Sequence, residues 1–292
     1  MRMSLRKYAF PLVSLALASG QLEARALSAT SAPPNYWCTW IVQGTTLREA
    51  QKAGKTVFAG DQGVPQQRDN LNEAVLFGEN GWATLFYPNE RGALFLLLDG
   101  GWDLPYGTTT GGAKSLSMRG ACIPHPDRFP SFKGTPAERL KALNDKVKSL
   151  GWRGIGVWIP AHVHGDMAEG RMLTDEEVRE VLAEKMRLCK EAGVEYWKID
   201  WGMRSNSVAF RRLMSDVRDK VYPGLILEHC WVPGTPLNDV DRKHGCVQTC
   251  NGRLLGNEAW CRNRKDHLAV LEVSDVFRTY DVLYPFQYVT TL

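Results

Sequence analysis

Short apolar runs alternate along this chain with longer stretches in which apolar residues recur every three or four positions. A brief apolar run bounded by glycine, proline or acids reads as a buried strand, and the longer period reads as an amphipathic helix. Six strands are predicted on this basis, at about 36–42, 93–99, 154–160, 195–200, 225–230 and 276–281. A first helical pattern covers Asn70 to Gly78. Thr135, Pro136, Ala137 and Glu138 then form a capping box with proline at the first helical position, and Leu140, Leu143, Val147 and Leu150 give that helix one apolar face before Gly151. Thr174 with Glu177 repeats the device, with Val178, Val181, Leu182, Met186 and Cys189 as the buried stripe and Gly193 as the stop. A further helix covers Ser207 to Val221, before Pro223 and Gly224, and another lies near Asn263 to Glu272. Residues 103–134, rich in glycine, threonine and proline, form a connection of the length that functional loops have.

Strands alternating with helices of this length mean βαβ units and a parallel sheet. Ionisable groups sit near several different strand ends: Asp99, Asp200, Glu228 with His229, and Asp281. An open doubly wound sheet would gather such groups at one crevice, whereas a barrel spreads them over many strand ends. The expected fold is therefore α/β, a (β/α)₈ TIM barrel of which about six units fit before Leu292, so an incomplete barrel from a fragment or a truncated reading frame is expected. Glu195 to Gly202, E-Y-W-K-I-D-W-G, is the most informative stretch. Alternation puts Tyr196, Lys198 and Asp200 on one face and Trp197, Ile199 and Trp201 on the other. A lysine and an aspartate on a buried face are costly unless they pair or do chemistry.

The N-terminus changes the picture of where this barrel works. Arg2, Arg6 and Lys7 precede an apolar stretch from Ala9 to Ser19, and Ala24-Arg25-Ala26 resembles a cleavage site. That is the layout of a secretory signal over residues 1–26, too short to span a membrane, followed by a linker over 27–35 and the catalytic region over 36–292. A secreted or periplasmic location is expected. Seven cysteines suit an oxidising compartment, the odd count leaves at least one unpaired within the chain, and Cys246, Cys250 and Cys261 are the expected bridging cluster. A net charge of +4 over 292 residues, without a basic run beyond the N-terminus, gives a nucleic-acid partner no support. No glycine-rich phosphate loop is present, so no nucleotide cofactor is expected.

Several carboxylates at strand ends suggest acid, base or nucleophilic work on a neutral substrate, and glycoside hydrolysis needs two of them. Ten tryptophans are available to cover sugar faces; Trp40, Trp102, Trp158, Trp201 and Trp231 all fall at or near strand ends. His162, His164 and Asp166, after the third strand, allow a further reading as a metal-dependent barrel enzyme.

A set of motifs in consistent order from about residue 35 to 290 resembles the α-galactosidase-like retaining glycoside hydrolases of families 27 and 36. Y-W-C-T-W resembles their first-strand tryptophan motif, L-L-L-D-G-G-W their paired-acid strand, and Y-W-K-I-D-W-G their K-x-D nucleophile strand. L-E-H-C-W resembles their C-E-W segment, and F-R-T-Y-D-V their proton-donor segment. The resemblance also takes in Asp127 to Ile159, and it implies a carbohydrate substrate with no metal and no cofactor. It implies Asp200 as nucleophile and Asp281 as acid/base, with Arg278 near the latter. Lys198 would bind sugar hydroxyls beside Asp200 as its counter-charge, Asp99 and Trp40 would contact the sugar, and Glu228 would form the pocket wall. Trp102 and Trp158 complete the expected substrate-binding set. Two departures stand out. The family's second acid before Gly-Trp is here Gly100, which leaves the sugar specificity open. Arg278 and Asp281 are three apart rather than four, which keeps Asp275 as an alternative proton donor.

Overall fold

Six parallel strands lie side by side in chain order in the computed structural model, which describes residues 34–44, 64–108, 112–231, 247–248, 254–255, 265–266 and 268–279. They are β1 (Asn35–Cys38), β2 (Leu94–Leu98), β3 (Gly154–Ile159), β4 (Tyr196–Ile199), β5 (Ile226–Trp231) and β8 (Val276–Thr279). Between the last two in sequence come β6 (Val247–Gln248) and β7 (Leu254–Leu255), which pair antiparallel. Successive strands that are always neighbours, each running the same way, make a singly wound sheet, the arrangement of a barrel.

The sheet is strongly curled, and one hydrogen bond demonstrates it. The Tyr36 hydroxyl on β1 donates to Glu228 Oε1 on β5 at 3.0 Å. In a flat sheet strands four places apart are separated by roughly 19 Å, beyond the joint reach of a tyrosine and a glutamate. The six strands form a half-barrel whose concave face carries Tyr36, Phe95, Leu97, Tyr196, Lys198 and Glu228. Gly156 on β3 belongs to this face: a Cβ there would stand 3.3 Å from Leu97 Cδ1 and 3.4 Å from Tyr196 Cβ. The missing side chain leaves room for the Phe95, Leu97 and Tyr196 cluster that fills the bottom of the bowl.

The convex face buries Leu96, Leu98, Ile155, Val157, Ile159, Trp197, Ile199 and Leu227 under helices. Five of these helices are short: α1 (Trp40–Gln43), α2 (Val64–Asp69), α3 (Glu73–Phe77), α4 (Trp82–Leu85) and α5 (Ala113–Ser117). The long ones are α6 (Pro136–Ser149), α7 (Asp175–Ala192) and α8 (Val208–Val221). Both expected capping boxes are present, at Thr135 with Glu138 and at Thr174 with Glu177, and Gly193 ends α7 at φ +68. Each such cap contributes about 1 kcal/mol. Asn144, wholly buried on α6, holds three parts of the layer together. Its amide donates to the carbonyls of Ala192 at 3.0 Å and Gly193 at 2.8 Å, and its oxygen accepts from the Ile155 N–H at 2.9 Å.

Some expectations shift. The first strand stops at Cys38 because Trp40 to Gln43 turn helical, rather than continuing to Val42. The helix placed over Asn70 to Gly78 covers only Glu73–Phe77, with Asn72 accepting the Val75 N–H as its cap. The long connection after β2 is firmly packed: Arg128, 1 % exposed, donates to the carbonyls of Leu104, Arg68, Leu71 and Pro105 and pairs with Asp69. The 1–26 signal, much of the linker, Asp281 and the Cys246, Cys250 and Cys261 cluster lie outside the described residues.

Candidate active site

At the carboxyl ends of the strands the concave face turns polar. Lys198, the inward residue of β4 one pleat beyond Tyr196, reaches Asp99 Oδ2 at 2.7 Å and Asp200 Oδ2 at 3.4 Å. Its cation therefore sits between the acid that follows β2 and the acid that follows β4. Asp99 is held further by the Cys38 thiol at 3.1 Å and the Gly100 N–H at 2.8 Å. Asp200 accepts the Trp158 indole N–H at 3.3 Å on one oxygen and the Trp201 backbone N–H at 2.8 Å on the other. Of the two acids Asp200 is the more open, with 14 % of its side chain exposed against 6 % for Asp99. A carboxylate oriented by two N–H groups, countered by a buried ammonium and still reachable from outside, is equipped to act as a nucleophile or to accept a hydrogen bond.

The backbone beneath Asp200 is clamped by Arg211 from α8, a residue that no motif or periodicity singles out. Its guanidinium donates to the carbonyls of Ile199 at 3.2 Å, Asp200 at 3.4 Å, Ser205 at 3.3 Å and Cys230 at 3.0 Å. Arg211 is fully buried. It ties the ends of β4 and β5 together and so fixes the direction in which Asp200 projects.

Glu228 differs from its expected place. It lies inside the bowl at 1 % exposure, with the Tyr36 phenol on one oxygen at 3.0 Å and the Tyr196 phenol on the other at 2.6 Å. Burial raises its carboxyl to about 7, against the opposing effects of the Tyr196 hydrogen bond and the Lys198 charge. It is a buried strut behind the site rather than an open wall. His229 points the opposite way, under α8, where its Nδ1 meets Arg211 at 3.2 Å. Alternation along β5 separates Glu228 and His229, which adjoin at one strand end in the sequence.

The tryptophans divide as well. Trp158 is on the concave side beside Asp200, and Trp201 tilts against it with ring centroids 5.7 Å apart. Trp201 was expected on the convex face with Trp197. The strand ends at Ile199, so the two-residue period no longer governs it. Instead its ring is approached by the guanidinium carbons of Arg68 at 5.5 Å and Arg119 at 5.2 Å. Trp40 is half-buried at the start of α1, its carbonyl accepting from Gln67 at 2.8 Å. Trp102 is fully buried in the sheet–helix core, its indole N–H donating to the Trp158 carbonyl at 3.3 Å. It supports Trp158 from below and presents no surface to a ligand.

Asp275 stands at the amino end of β8, where it pairs with Arg218 and accepts the Leu227 N–H at 2.9 Å. That is the far end of the barrel from Asp200, so Asp275 is excluded as the proton donor. For Arg278 the structure gives the backbone, in register with Cys230.

The metal reading is corrected. His162 donates from Nε2 to the Leu116 carbonyl at 3.1 Å and accepts the Met203 N–H on Nδ1 at 3.4 Å, and burial lowers its imidazole to about 4. Asp166 accepts the N–H groups of Val163 and Leu173 and a two-pronged Arg204 guanidinium. His164 is exposed. The donor atoms of His162 and Asp166 brace the loops after β3 and β4.

Asp103 belongs to no motif that singles it out in the sequence. Burial raises its carboxyl to about 6, partly offset by the Cys122 N–H and the Arg119 charge.

No family model and no curated protein matches the chain. Among solved structures it is similar to a family-27 β-L-arabinopyranosidase of Geobacillus stearothermophilus, at 13 % identity and a TM-score of 0.36, over 50 % of this chain and 42 % of that one. An alanine variant of the same enzyme, in complex with arabinose, gives 15 % identity and a TM-score of 0.33 over 46 % and 39 %. A Bacillus halodurans protein described as a candidate α-N-acetylgalactosaminidase gives 14 % and 0.36 over 68 % and 48 %. The chain thus spans less than half the length of each. At these overlaps the functional reading rests on the side chains described above.

Proposed function

We propose that this chain carries the nucleophile half of a retaining glycosidase for α-linked sugars. The observation that carries the reading is the convergence of Lys198 and the Trp158 indole on Asp200, with Asp99 held by the same lysine, at the carboxyl ends of adjoining strands. In the double displacement, an Asp200 oxygen attacks the anomeric carbon while the aglycone oxygen leaves with a proton from the general acid. Water then attacks the same carbon, gives a proton back to that residue and releases Asp200. Asp281 is proposed as the acid/base, on the strength of the motif resemblance. Asp99 and Lys198 would hold sugar hydroxyls, and Trp158 with Trp201 would cover a ring face.

Export of the protein belongs to the same proposal, supported by the basic and apolar segments of residues 1–26, and N-terminal sequencing of the mature protein checks it. Among the described residues, no helix is long and apolar enough to cross a membrane.

The direct test assays the full chain and Asp200→Ala on aryl α-glycosides of galactose, N-acetylgalactosamine and glucose, and on the β-L-arabinopyranoside. Turnover by the parent that survives the substitution unchanged removes Asp200 from the role. One observation favours a second reading, sugar binding without turnover. At Gly100, where the resembled family has an acid, the nearest side-chain atom is Arg68 Nε, 3.4 Å from where a Cβ would sit. A mechanism-based covalent sugar inhibitor separates the two readings, since an adduct on Asp200 requires chemistry and reversible occupancy does not.

A further inference from the structure

The turn that ends β1 grips the acid that ends β2 at three points. The Cys38 thiol donates to Asp99 Oδ2 at 3.1 Å. Thr39 accepts the Asp99 N–H on its hydroxyl at 3.0 Å and donates to Gln43 Oε1 at 2.6 Å. Gln43 in turn donates from its amide to the Gly100 carbonyl at 3.1 Å. Thr39 and Gln43 are fully buried, so this frame belongs to the packed structure. Within it the Thr39 and Gln43 bonds fix backbone, and the Cys38 bond reaches the carboxylate. That bond falls on the oxygen that also takes Lys198 at 2.7 Å, while Oδ1 takes the Gly100 N–H at 2.8 Å. Burial, ahead of the Asp99 charge, raises the Cys38 thiol, which keeps its proton and remains a donor at neutral pH.

We propose that Cys38 is a positioning residue for the candidate nucleophile, acting through Asp99 and Lys198. The lysine ammonium is shared unequally, 2.7 Å from Asp99 Oδ2 and 3.4 Å from Asp200 Oδ2. A second donor on the Asp99 oxygen meets part of its demand for hydrogen bonds, so less is drawn from Lys198. The ammonium is left able to lean towards Asp200 and hold it ionised. Without the thiol, Asp99 pulls Lys198 closer and Asp200 loses part of its counter-charge. Among the described residues, the charged and titratable groups that face this point are Asp99, Lys198, Asp200 and Glu228, with Arg211 behind the Asp200 carbonyl. The proposal rests on the reading of Asp200 as the nucleophile, which attacks only in its ionised form.

The test follows kcat/KM against pH for the full chain, Cys38→Ala and Cys38→Ser, on the aryl glycoside that the parent turns over best. Cys38→Ala is expected to move the acid limb upward by about half a pH unit, because an acid whose counter-charge at 3.4 Å has weakened takes up its proton at higher pH. Cys38→Ser, whose hydroxyl donates in place of the thiol, is expected to return the limb to the parent's position. A role confined to packing predicts a lower thermal midpoint with the limb unmoved. An unmoved limb in Cys38→Ala overturns the proposal, and so does a serine variant that behaves like the alanine one. An active parent with an unmoved limb removes this proposal alone, whereas an inactive parent removes the nucleophile reading and this proposal with it. If Cys38→Ala does not fold, the S–H stretching band decides, isolated as the difference between the infrared spectra of the parent and Cys38→Ser. A frequency lowered by the carboxylate acceptor is expected, and that of a free thiol overturns the proposal.

Discussion

Asp200 and Asp275 are both aspartates at the end of a parallel strand, each facing a basic side chain, yet they stand at opposite ends of the barrel. Asp275 precedes β8 and meets Arg218 together with the Leu227 N–H, joining α8, β5 and β8 at the amino edge of the sheet. Asp200 follows β4 and meets Lys198, the Trp158 indole and its own neighbour's N–H, leaving part of the carboxylate open. Strand direction makes the difference. Loops at the carboxyl ends of a barrel can vary and gather a ligand, while those at the amino ends serve packing. Residue type and a nearby cation do not separate a reacting acid from a structural one; the end of the strand does.

The sharpest way to break this comparison is to remove each acid in turn. Asp200→Ala is expected to lower turnover by about 10⁴-fold or more, the scale of losing a covalent nucleophile. Its thermal midpoint should change little, because Lys198 keeps the closer partner, Asp99, at 2.7 Å. Asp275→Ala is expected to do the reverse. It leaves Arg218, whose side chain is 4 % exposed, without that carboxylate and the Leu227 N–H without its acceptor, which costs about 3 to 4 kcal/mol. Turnover per folded molecule should be retained. Kinetics and thermal melts on both variants check the pair, and a stable but inactive Asp275→Ala protein would reverse the assignment of the two ends.

Glu228 sharpens the contrast as a third acid, wholly enclosed. Its carboxyl is raised from an ordinary 4.5 to about 7, chiefly by burial. The folded state therefore favours the protonated form. That contribution to stability is fully present below pH 4.5 and is lost as pH rises through 7, in total about 3 kcal/mol. Asp103 acts in the same sense between 3.8 and about 6, and His162 in the opposite sense, losing stability as pH falls from 6.5 towards about 4. Subtracting the pH 5 to pH 8 melting shift of Glu228→Gln from that of the parent isolates the Glu228 part. Equal shifts in the two proteins would show that Glu228 is ionised without penalty in the fold.

The contrast also explains what could be read from the chain. The helix caps and long helices were legible, since Thr135, Glu138, Thr174, Glu177 and Gly193 act within a single turn of backbone. The inward pairing of Lys198 with Asp200 was legible because alternation along one strand fixes it. The same rule failed one residue later, at Trp201, because the strand had ended. The Tyr36–Glu228–Tyr196 cluster was not legible, because it depends on how far the sheet curls. Buried arginines were the other blind spot. In a sequence Arg68, Arg119, Arg128 and Arg211 look like solvated charges, and only their surroundings show them holding backbone carbonyls or covering a tryptophan. Asp275 stays open as an alternative to Asp281 in the sequence because a shift of a few residues carries an acid from one edge of the sheet to the other.

The smallest expected effect concerns Gly100, which adjoins Asp99 at the carboxyl edge. A Cβ at this position would stand 3.4 Å from Arg68 Nε and 3.9 Å from the Trp158 ring, ordinary contact distances, and the backbone there is not in the left-handed region. Gly100→Asp therefore fits, and its carboxylate comes within reach of the Arg68 guanidinium. Stability should change by less than about 1 kcal/mol, since the added pair offsets the desolvation of the new charge. On the proposed reading, the consequence for function is a matter of charge at this edge. With glycine at 100, Arg68 is the nearest polar group to that position; with aspartate, an acceptor for sugar hydroxyls joins it. If this edge lines the sugar, KM across the panel of aryl glycosides should shift several-fold for Gly100→Asp while kcat on the best substrate stays within about twofold, because uniform binding moves the bound ground state and the transition state together. An unaltered KM for every sugar would place position 100 outside the sugar's reach and leave Asp99 and Lys198 as the groups at this edge that hold it.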